Sequence, residues 1–190
     1  WISLQIAILA FFGGMFFGLI LATIRTFGNK ISNKIVICYV TFFTNTPQLV
    51  QIYFLFFALP EFGILLSPYV AVLVGMTLNA AAYLCEIQRA GFLSIRQNEL
   101  DAAKTLNFSL VQQVKYVILP HIMRVLFPPL SNHYIIMTLG TSMAAIFGVE
   151  ELTGRAFNIN SETFRSVEIF SITALIYIVI TFIATFLLAI

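Results

Sequence analysis

Long apolar segments, each near the length of a membrane crossing, make up most of this chain and flank one polar stretch, residues 86–132. Of the 190 residues, 60% are hydrophobic and 9% are charged, whereas roughly a quarter of the residues in a soluble domain are charged. Because a helix of about 20 apolar residues spans the hydrocarbon of a bilayer, the sequence predicts an all-α integral membrane protein. We expect residues 1–190 to form a single transmembrane domain surrounded by lipid, with no nucleic-acid partner.

Five segments are predicted to cross the membrane, and they cover approximately residues 2–24, 35–59, 68–84, 130–149 and 168–190. Pro47 lies among polar residues inside the second segment. Because proline donates no backbone hydrogen bond, a kink or a broken helix is predicted there. Gly14 and Gly18, four residues apart, indicate close packing of the first helix against a neighbour.

The basic residues place the polar stretch in the cytoplasm. They are concentrated in the first loop and in the polar stretch, namely Arg25, Lys30, Lys34, Arg89, Arg96, Lys104, Lys115 and Arg124. With five crossings these two loops share one side of the membrane, and the positive-inside rule assigns that side to the cytoplasm. The opposite side has a polar loop, residues 150–165, that carries Glu150, Glu151 and Glu162. The N-terminus is therefore predicted to lie outside the cell.

The centre of the polar stretch has the signals of a short helix. Asn98 is a good N-cap residue, and Glu99 and Asp101 place negative charge in the first turn, where the helix dipole favours it. Asn107 tolerates the left-handed backbone conformation that commonly ends a helix. A helix is therefore predicted from residue 98 to about residue 106.

A second short helix is predicted directly afterwards. Ser109 and Gln112 have the spacing of a capping box, and Pro120 interrupts or restarts the chain. The result is two short amphipathic helices over residues 98–118, in the loop between transmembrane helices 3 and 4. The pattern alone is explained equally well by an interfacial loop that only covers helix ends.

The same residues resemble the "EAA" loop of permease subunits from binding-protein-dependent ABC importers. That loop reads Glu-Ala-Ala, three residues, Gly, nine residues, Ile, one residue and Leu-Pro. Here Asp101-Ala102-Ala103, Asn107, Val117 and Leu119-Pro120 stand at the same spacing. The three replacements are mild, because Asp still serves a helix N-terminus, Asn still tolerates the left-handed turn and Val keeps the apolar contact.

Other segments are similar to the polar amino-acid branch of that family, the histidine, glutamine and arginine type. These are residues 46–51, 57–60 and 82–91, together with Asn132, Thr141-Ser142 and Glu151-Leu152. The resemblance covers nearly the whole chain. It implies a multi-pass subunit of the prokaryotic cytoplasmic (inner) membrane that imports a polar or cationic amino acid.

The resemblance also implies partners. The cytoplasmic loop would be a coupling element that docks on a separate ABC ATP-binding subunit, through Asn98, Glu99, Asp101, Ala102, Ala103, Leu106 and Asn107. This chain has no Gly-rich phosphate loop ending in Gly-Lys-Ser/Thr, so ATP and Mg²⁺ are expected on the partner and no cofactor on the chain itself. A second permease subunit, identical or different, and an extracytoplasmic amino-acid-binding protein are expected as well.

Charged residues are almost absent from the predicted spans, so the solute contacts should come mostly from uncharged polar groups. The candidates for the solute path are Gln51, Asn79, Thr138, Thr141, Ser142 and, at the outer mouth, Glu150. Each has an ordinary structural explanation too. Ser and Thr can bond within their own helix, Asn and Gln can bridge neighbouring helices, and Glu150 can be a solvated carboxylate or a binding-protein contact.

Two other functions remain open. An ATP-independent secondary transporter or channel would need intramembrane charges or internal repeats, and the spans show almost none. A membrane-embedded enzyme would need a His/Asp/Glu cluster or a Ser nucleophile at depth. We expect neither catalytic residues nor a metal site, with His121 and His133 in ordinary hydrogen bonds and Glu86 and Arg89 in an intrahelical ion pair.

Overall fold

A computed structural model describes residues 1–188, and over these residues the chain is helical without strands. The helices are α1 (Ile2–Phe27), α2 (Lys30–Thr44), α3 (Gln48–Tyr53), α4 (Pro68–Leu93), α5 (Gln97–Thr105), α6 (Leu110–Gln113), α7 (Leu119–Gly140), α8 (Leu152–Thr163) and α9 (Ser166–Leu188). Three of them continue through tighter or wider turns, which are Phe54–Ala58 and Leu59–Phe62 after α3, Val114–Ile118 after α6 and Thr141–Phe147 after α7.

Among the described residues, α1, α4 and α9 are each long and apolar enough to cross a membrane as single helices. Two bent pairs qualify if each is counted as one crossing. The first joins α2 to α3 and its extension with a bend of 102°, and the second joins the helical run from α6 through Phe147 to α8 with a bend of 45°. The topology therefore accommodates up to five crossings, and the break predicted at Pro47 is confirmed.

The centre of the bundle is the contact between α1 and α4. A Cβ atom added to Gly14 would lie 2.6 Å from Ala80 Cβ, and one added to Gly18 would lie 3.0 Å from the backbone nitrogen of Cys85. These distances leave no room for a side chain, so the two helices approach almost to backbone contact. The close packing predicted from the glycine spacing is confirmed.

An ion-pair cluster joins the same two helices towards their C-terminal ends. Glu86 pairs with Arg89 one turn further along α4 at 3.1 Å, as the sequence predicts, and it also pairs with Arg25 near the end of α1. The side chains of Arg25 and Glu86 are only 20% and 35% exposed. The cluster therefore ties α1 to α4 at the level where the predicted spans end.

Two boundaries predicted from the sequence are wrong. The fourth span does not start at residue 130, because α7 begins at Leu119 and runs on through Pro128 and Pro129. Pro120 is the second residue of α7 and directly follows the wider turn Val114–Ile118. The carbonyls that lose their donors to Pro128 and Pro129 belong to Arg124 and Val125, and both residues are exposed close to the polar stretch.

The segment 150–165 is not a loop either, because most of it forms α8. Glu151, which the sequence assigns to a charged outer loop, is 2% exposed. Its carboxylate caps α8 by accepting a hydrogen bond from the Gly154 nitrogen at 2.8 Å, and it accepts others from Ser3 Oγ at 3.0 Å and Tyr177 Oη at 2.9 Å. A buried carboxylate needs such donors, and here they come from α1, α8 and α9.

The glycine contact generates a prediction with an internal control. Gly14→Ala should destabilise the bundle by about 1–3 kcal/mol, because the new methyl group meets backbone atoms of α4. Gly13→Ala should cost less, since its methyl group would lie 3.1 Å from Thr77 Cγ2, an atom of a side chain that can shift. Thermal unfolding of the detergent-solubilised variants measures the difference, and equal losses at both positions would contradict the proposed contact.

Candidate functional site

α5 begins one residue earlier than the sequence predicts. Its N-cap is Arg96, which makes no side-chain capping bond, so the assignment of Asn98 as the N-cap is wrong. The earlier start is favoured because Gln97 donates to Asp101 one helical turn later, at 2.9 Å. Glu99 lies in the first turn as predicted, whereas Asp101 lies beyond it.

Asp101 is a charged group on the exposed surface of α5. The hydrogen bonds from Gln97 and Lys104, the latter at 3.3 Å, hold the pKa of the Asp101 carboxyl below its usual value. Since a hydrogen-bonded carboxylate favours the ionised form, Asp101 is an anion at neutral pH.

The C-terminus of α5 is closed by the turn that the sequence predicts. Asn107 has the left-handed conformation, with φ 57°. Its nitrogen donates to the Lys104 carbonyl at 2.8 Å, and the Phe108 nitrogen donates to the Ala103 carbonyl at 3.0 Å, which is the pattern of a Schellman motif. The turn therefore satisfies the last carbonyls of α5 and fixes the exit direction of the chain.

The predicted capping box follows at once. The Ser109 nitrogen donates to Gln112 Oε1 at 2.8 Å, and the Gln112 nitrogen donates to Ser109 Oγ at 3.3 Å. The helix that it starts is not a separate short helix, however, because Val114–Ile118 carry it into α7 without interruption at Pro120. α5 is thus joined by one tight turn to a continuous helical run, Leu110–Phe147, which we call the rod.

The other end of α5 is braced against α4 and α7. His121 Nε2 lies 3.1 Å from both Oγ and the carbonyl oxygen of Ser94, at the end of α4, and His121 Nδ1 lies 3.6 Å from the Glu99 carboxylate. A Cβ atom on Gly91 would lie 2.7 Å from Leu126, so α4 and α7 touch at this level. The hydrogen bonds predicted for His121 are confirmed, but its link to α5 is not apparent from the sequence.

The surface of this region is mixed, with three large apolar side chains among polar ones. Ala103 points inward and is 3% exposed, whereas Ala102 is exposed. Leu106, Leu110 and Val111 are 69%, 78% and 75% exposed, and we call these three residues the inner-face patch. Exposed aliphatic side chains that lie next to one another are typical of an interaction surface.

At the break in the second span, every carbonyl of the last turn of α2 accepts a hydrogen bond. Four carbonyls at the end of a helix have no partner within it. The Thr41 carbonyl accepts from the nitrogen and Nδ2 of Asn45 at 3.1 and 2.8 Å, and the Phe42 carbonyl accepts from Thr46 Oγ1 at 2.8 Å. The first two of the four are therefore bonded locally.

The other two are bonded by more distant side chains. The Phe43 carbonyl accepts from Gln51 Nε2 and from Asn79 Nδ2, each at 3.1 Å, and the Thr44 carbonyl accepts from Tyr83 Oη at 3.4 Å. Asn79 Nδ2 also donates to Gln51 Oε1 at 3.1 Å. Gln51 and Asn79, both predicted to line a solute path, thus bridge α2, α3 and α4.

The remaining path candidates lie at three different levels of exposure. Thr138 and Thr141 are buried and donate to the carbonyls of Tyr134 and Thr138 at 2.9 and 2.7 Å. Ser142 is half-buried. Glu150 is exposed, pairs with Arg155 at 3.2 Å and accepts from Asn158 at 3.2 Å. Their place on a solute path stays a prediction.

A polar groove of about 740 Å³ lies between the α2–α3 break, α4 and α7. Besides Asn79 and threonines of the break, its polar lining includes Asn45, Gln48, Tyr83, Asn132 and His133. His133 Nε2 is buried and has no hydrogen-bond partner among residues 1–188, so the hydrogen bonding predicted for His133 is wrong at this atom. Sequence reasoning missed this groove, although Asn132-His133 directly after Pro128-Pro129 is a polar pair within a predicted span.

Nothing in the described part of the chain gathers three or more His, Cys, Asp or Glu side chains into a metal site. Cys38 is exposed and Cys85 is buried, and both are free thiols.

A helical membrane bundle with a braced helix on one face and a polar groove at a broken span is the architecture of a transport permease. Residues 14–190 match the family described as "Binding-protein-dependent transport system inner membrane component". The chain belongs to this family and is the transmembrane component of an ABC importer, so it is a membrane-embedded transport subunit rather than an enzyme and works with an ATP-binding subunit.

Two named relatives and one solved structure are consistent with membership of this family. The chain is 37% identical to the glutamine transport system permease protein GlnP of Escherichia coli over 98% of this chain and 86% of that protein. It is 34% identical to the octopine transport system permease protein OccM of Rhizobium radiobacter over 76% of this chain and 63% of that protein. A crystal structure of an amino acid ABC transporter with histidines superposes with a TM-score of 0.89 at 29% identity, covering 98% of this chain and 87% of that chain.

The corner network predicts that the two glutamines near the break behave differently. Gln51→Leu should destabilise the protein by about 1–3 kcal/mol, because it removes donors to the Phe43 carbonyl and to Thr46. Gln48→Leu, three residues away in the groove, should have a much smaller effect on thermal unfolding in detergent. Equal stabilities of the two variants would show that the network does not hold the corner.

Proposed function

We propose that this chain carries a polar amino acid into the cell, and that α5 with the inner-face patch is the surface on which the ATP-binding subunit docks. The substrate class is supported by the names of the relatives, which transport glutamine and octopine. One observation supports the docking surface most strongly. A short helix is fixed at both ends, and exposed apolar side chains lie directly after it, at its C-cap Leu106 and at the start of α6.

The contacts at the two ends of α5 explain how such a helix would transmit movement. A force on α5 passes through the Asn107 turn into the rod that contains α7, and through Glu99 and His121 to the end of α4. Because packed interiors shift between discrete arrangements rather than deform smoothly, closure of the ATP-binding subunits would turn the helices together. Access to a central site would then alternate between the two sides.

The remaining assignments complete this proposal. The chain acts as one transmembrane domain with its N-terminus outside, residues 98–118 in the cytoplasm and the nucleotide on the partner. A second permease subunit completes the solute path. An extracytoplasmic binding protein delivers the amino acid at the side where Glu150 is exposed.

The docking surface predicts a position-specific effect of charge. Leu106→Asp should reduce amino-acid uptake and binding-protein-stimulated ATP hydrolysis at least about tenfold, because a buried interface excludes an unpaired carboxylate. Thr105→Asp, which adds the same charge to the exposed neighbour, should act much more weakly. Both activities are measured with the reconstituted complex in vesicles, and full activity of Leu106→Asp would refute the docking role.

The left-handed turn predicts a second pair of variants. Asn107→Gly should retain coupling, since glycine adopts a positive φ without strain. Asn107→Val should uncouple ATP hydrolysis from uptake, because a β-branched residue resists the left-handed conformation and α5 would be reoriented. Uptake per ATP hydrolysed is the quantity to compare, and equal ratios in the two variants would argue against transmission through this turn.

A further inference from the structure

We propose that a second groove, which lies between α1, α7 and α9, binds an anionic phospholipid. The acyl chain of the lipid fills this groove, and Arg124 holds the phosphate of its headgroup. The site is separate from the polar groove at the α2–α3 break and from the docking surface of α5. The inference goes beyond the proposed function and does not rest on it.

The second groove has a volume of about 740 Å³ and is lined almost entirely by hydrocarbon. Phe11 of α1 and Thr138 of α7 are buried in its floor, where the ring of Phe11 meets that of Tyr134 edge-on at 5.3 Å between centroids. Only Ser131, Tyr134 and Thr138 bring a hydroxyl to the lining, and none of its described residues is charged. The groove therefore suits a hydrocarbon chain rather than a polar solute.

One end of the groove is closed by the buried carboxylate of Glu151. This carboxylate accepts hydrogen bonds from Ser3 Oγ of α1 and from Tyr177 Oη of α9, so the two helices are tied together there. The lining begins directly beyond these contacts, at Leu4 on α1 and at Ile180 on α9. The groove therefore runs from this network towards the C-terminal end of α9.

The length of the groove is comparable to the depth of one leaflet. Among its lining residues, Leu188 lies eight residues beyond Ile180 on α9, and Thr138 lies fifteen residues beyond Met123 on α7. At about 1.5 Å per helical residue, these separations are about 12 Å and 22 Å. One leaflet accounts for half of a hydrocarbon thickness of about 30 Å, so a lipid chain fits. A transmembrane helix of another subunit, about 10 Å across, needs a slot that is open through both leaflets.

A cation lies at the other end of the groove. Arg124 precedes Phe127 by three residues and Ser131 by seven, so it shares the face of α7 that lines the groove. The side chain is exposed, and its guanidinium makes no ion pair with another of residues 1–188. A lipid whose chain lies in the groove would therefore bring its phosphate to a cation that has no partner in this part of the protein.

The three carboxylates of the polar stretch do not compensate this charge, because each has another partner. The pairs are Glu86 with Arg25 and Arg89, Glu99 with His121, and Asp101 with Lys104. A guanidinium binds a phosphate through two parallel hydrogen bonds, and basic groups between transmembrane helices are typical of sites for anionic headgroups. The positive charge favours phosphatidylglycerol over phosphatidylcholine, whose headgroup carries a cation of its own.

The first test uses the full chain in vesicles, with a tryptophan as the reporter. Trp1→Phe removes the single tryptophan of the sequence, and Phe127→Trp then places one in the groove. Brominated phosphatidylglycerol, added to phosphatidylcholine, should half-quench Phe127→Trp at a mole fraction at least about threefold lower than it half-quenches Phe182→Trp. Phe182 is the control because it is 73% exposed and lies next to Ile183 of the lining without being part of it.

The other results of this experiment each count against the site. Half-quenching at the same mole fraction in both reporters would mean that the groove holds bulk lipid only, and the proposal would be overturned. Quenching of Phe182→Trp without quenching of Phe127→Trp would mean that protein covers the groove, as in a contact between two copies of the chain. That result would overturn the proposal as well.

The second test removes the cation. Arg124→Gln should abolish the preference of the Phe127→Trp reporter for phosphatidylglycerol over phosphatidylcholine. Lys34→Gln, which removes another exposed cation, should preserve that preference, because none of the described lining residues belongs to α2. Circular dichroism and the unfolding temperature show that both variants are folded. A preference that survives Arg124→Gln would overturn the assignment of the headgroup contact.

A third measurement examines the intact complex with the ATP-binding subunit. Mass spectrometry of this complex, purified with phosphatidylglycerol present, counts the lipids that stay bound. The unaltered complex and Lys34→Gln should each retain about one more phosphatidylglycerol per permease chain than Arg124→Gln. Equal numbers of retained lipids in the three proteins, or none in any of them, would show that the complex does not hold a lipid at Arg124.

Discussion

Hydrocarbon offers no hydrogen bonds, so a chain that breaks a helix inside a membrane must supply partners for every backbone group it releases. The break between α2 and α3 bends the chain by 102°, and all four carbonyls at the end of α2 are bonded there. Gln51 and Asn79 bond one of the four, the Phe43 carbonyl, and in doing so link three helices. The corner holds α2 and α3 at this angle beside α4, and the polar groove lies in the space between them. The side-chain amides of Asn45 and Gln48 line that groove.

The short helix α5 is also held at both of its ends. The contact at Gly14 and Gly18 and the ion pairs of Glu86 join α1 to α4 into one unit. α5 connects that unit to the rod containing α7 through the hydrogen-bonded turn at Asn107 and through the contact of Glu99 with His121 at 3.6 Å. A displacement of α5 would therefore move whole helices instead of being absorbed by a loop. The polar groove lies between α4 and α7, the two helices that α5 links.

Features set by neighbouring residues could be predicted from the sequence. The left-handed turn at Asn107 and the Ser109–Gln112 capping box depend on bonds within a few residues. The break at Pro47 follows from the missing N–H of proline. Features set by distant partners could not. The sequence predicts Glu151 to be a charged residue of an outer loop, because its hydrogen-bond partners Ser3 and Tyr177 are 148 and 26 residues away along the chain. α7 continues through two prolines because the carbonyls affected are exposed, which no local pattern reveals. Gln51 and Asn79 are predicted from the sequence as candidates for the solute path, which stays a prediction, whereas the groups that they bond are a property of the fold.

The central claim, that α5 and the inner-face patch face the cytoplasm and are covered by an ATP-binding subunit, is tested most directly by labelling. A Leu106→Cys variant with Cys38 and Cys85 replaced by Ala is treated with a membrane-impermeant maleimide in right-side-out and in inverted vesicles. The account predicts labelling only in inverted vesicles, and strong protection there when the ATP-binding subunit is present. Labelling from the outside, or equal labelling with and without the partner subunit, would contradict it.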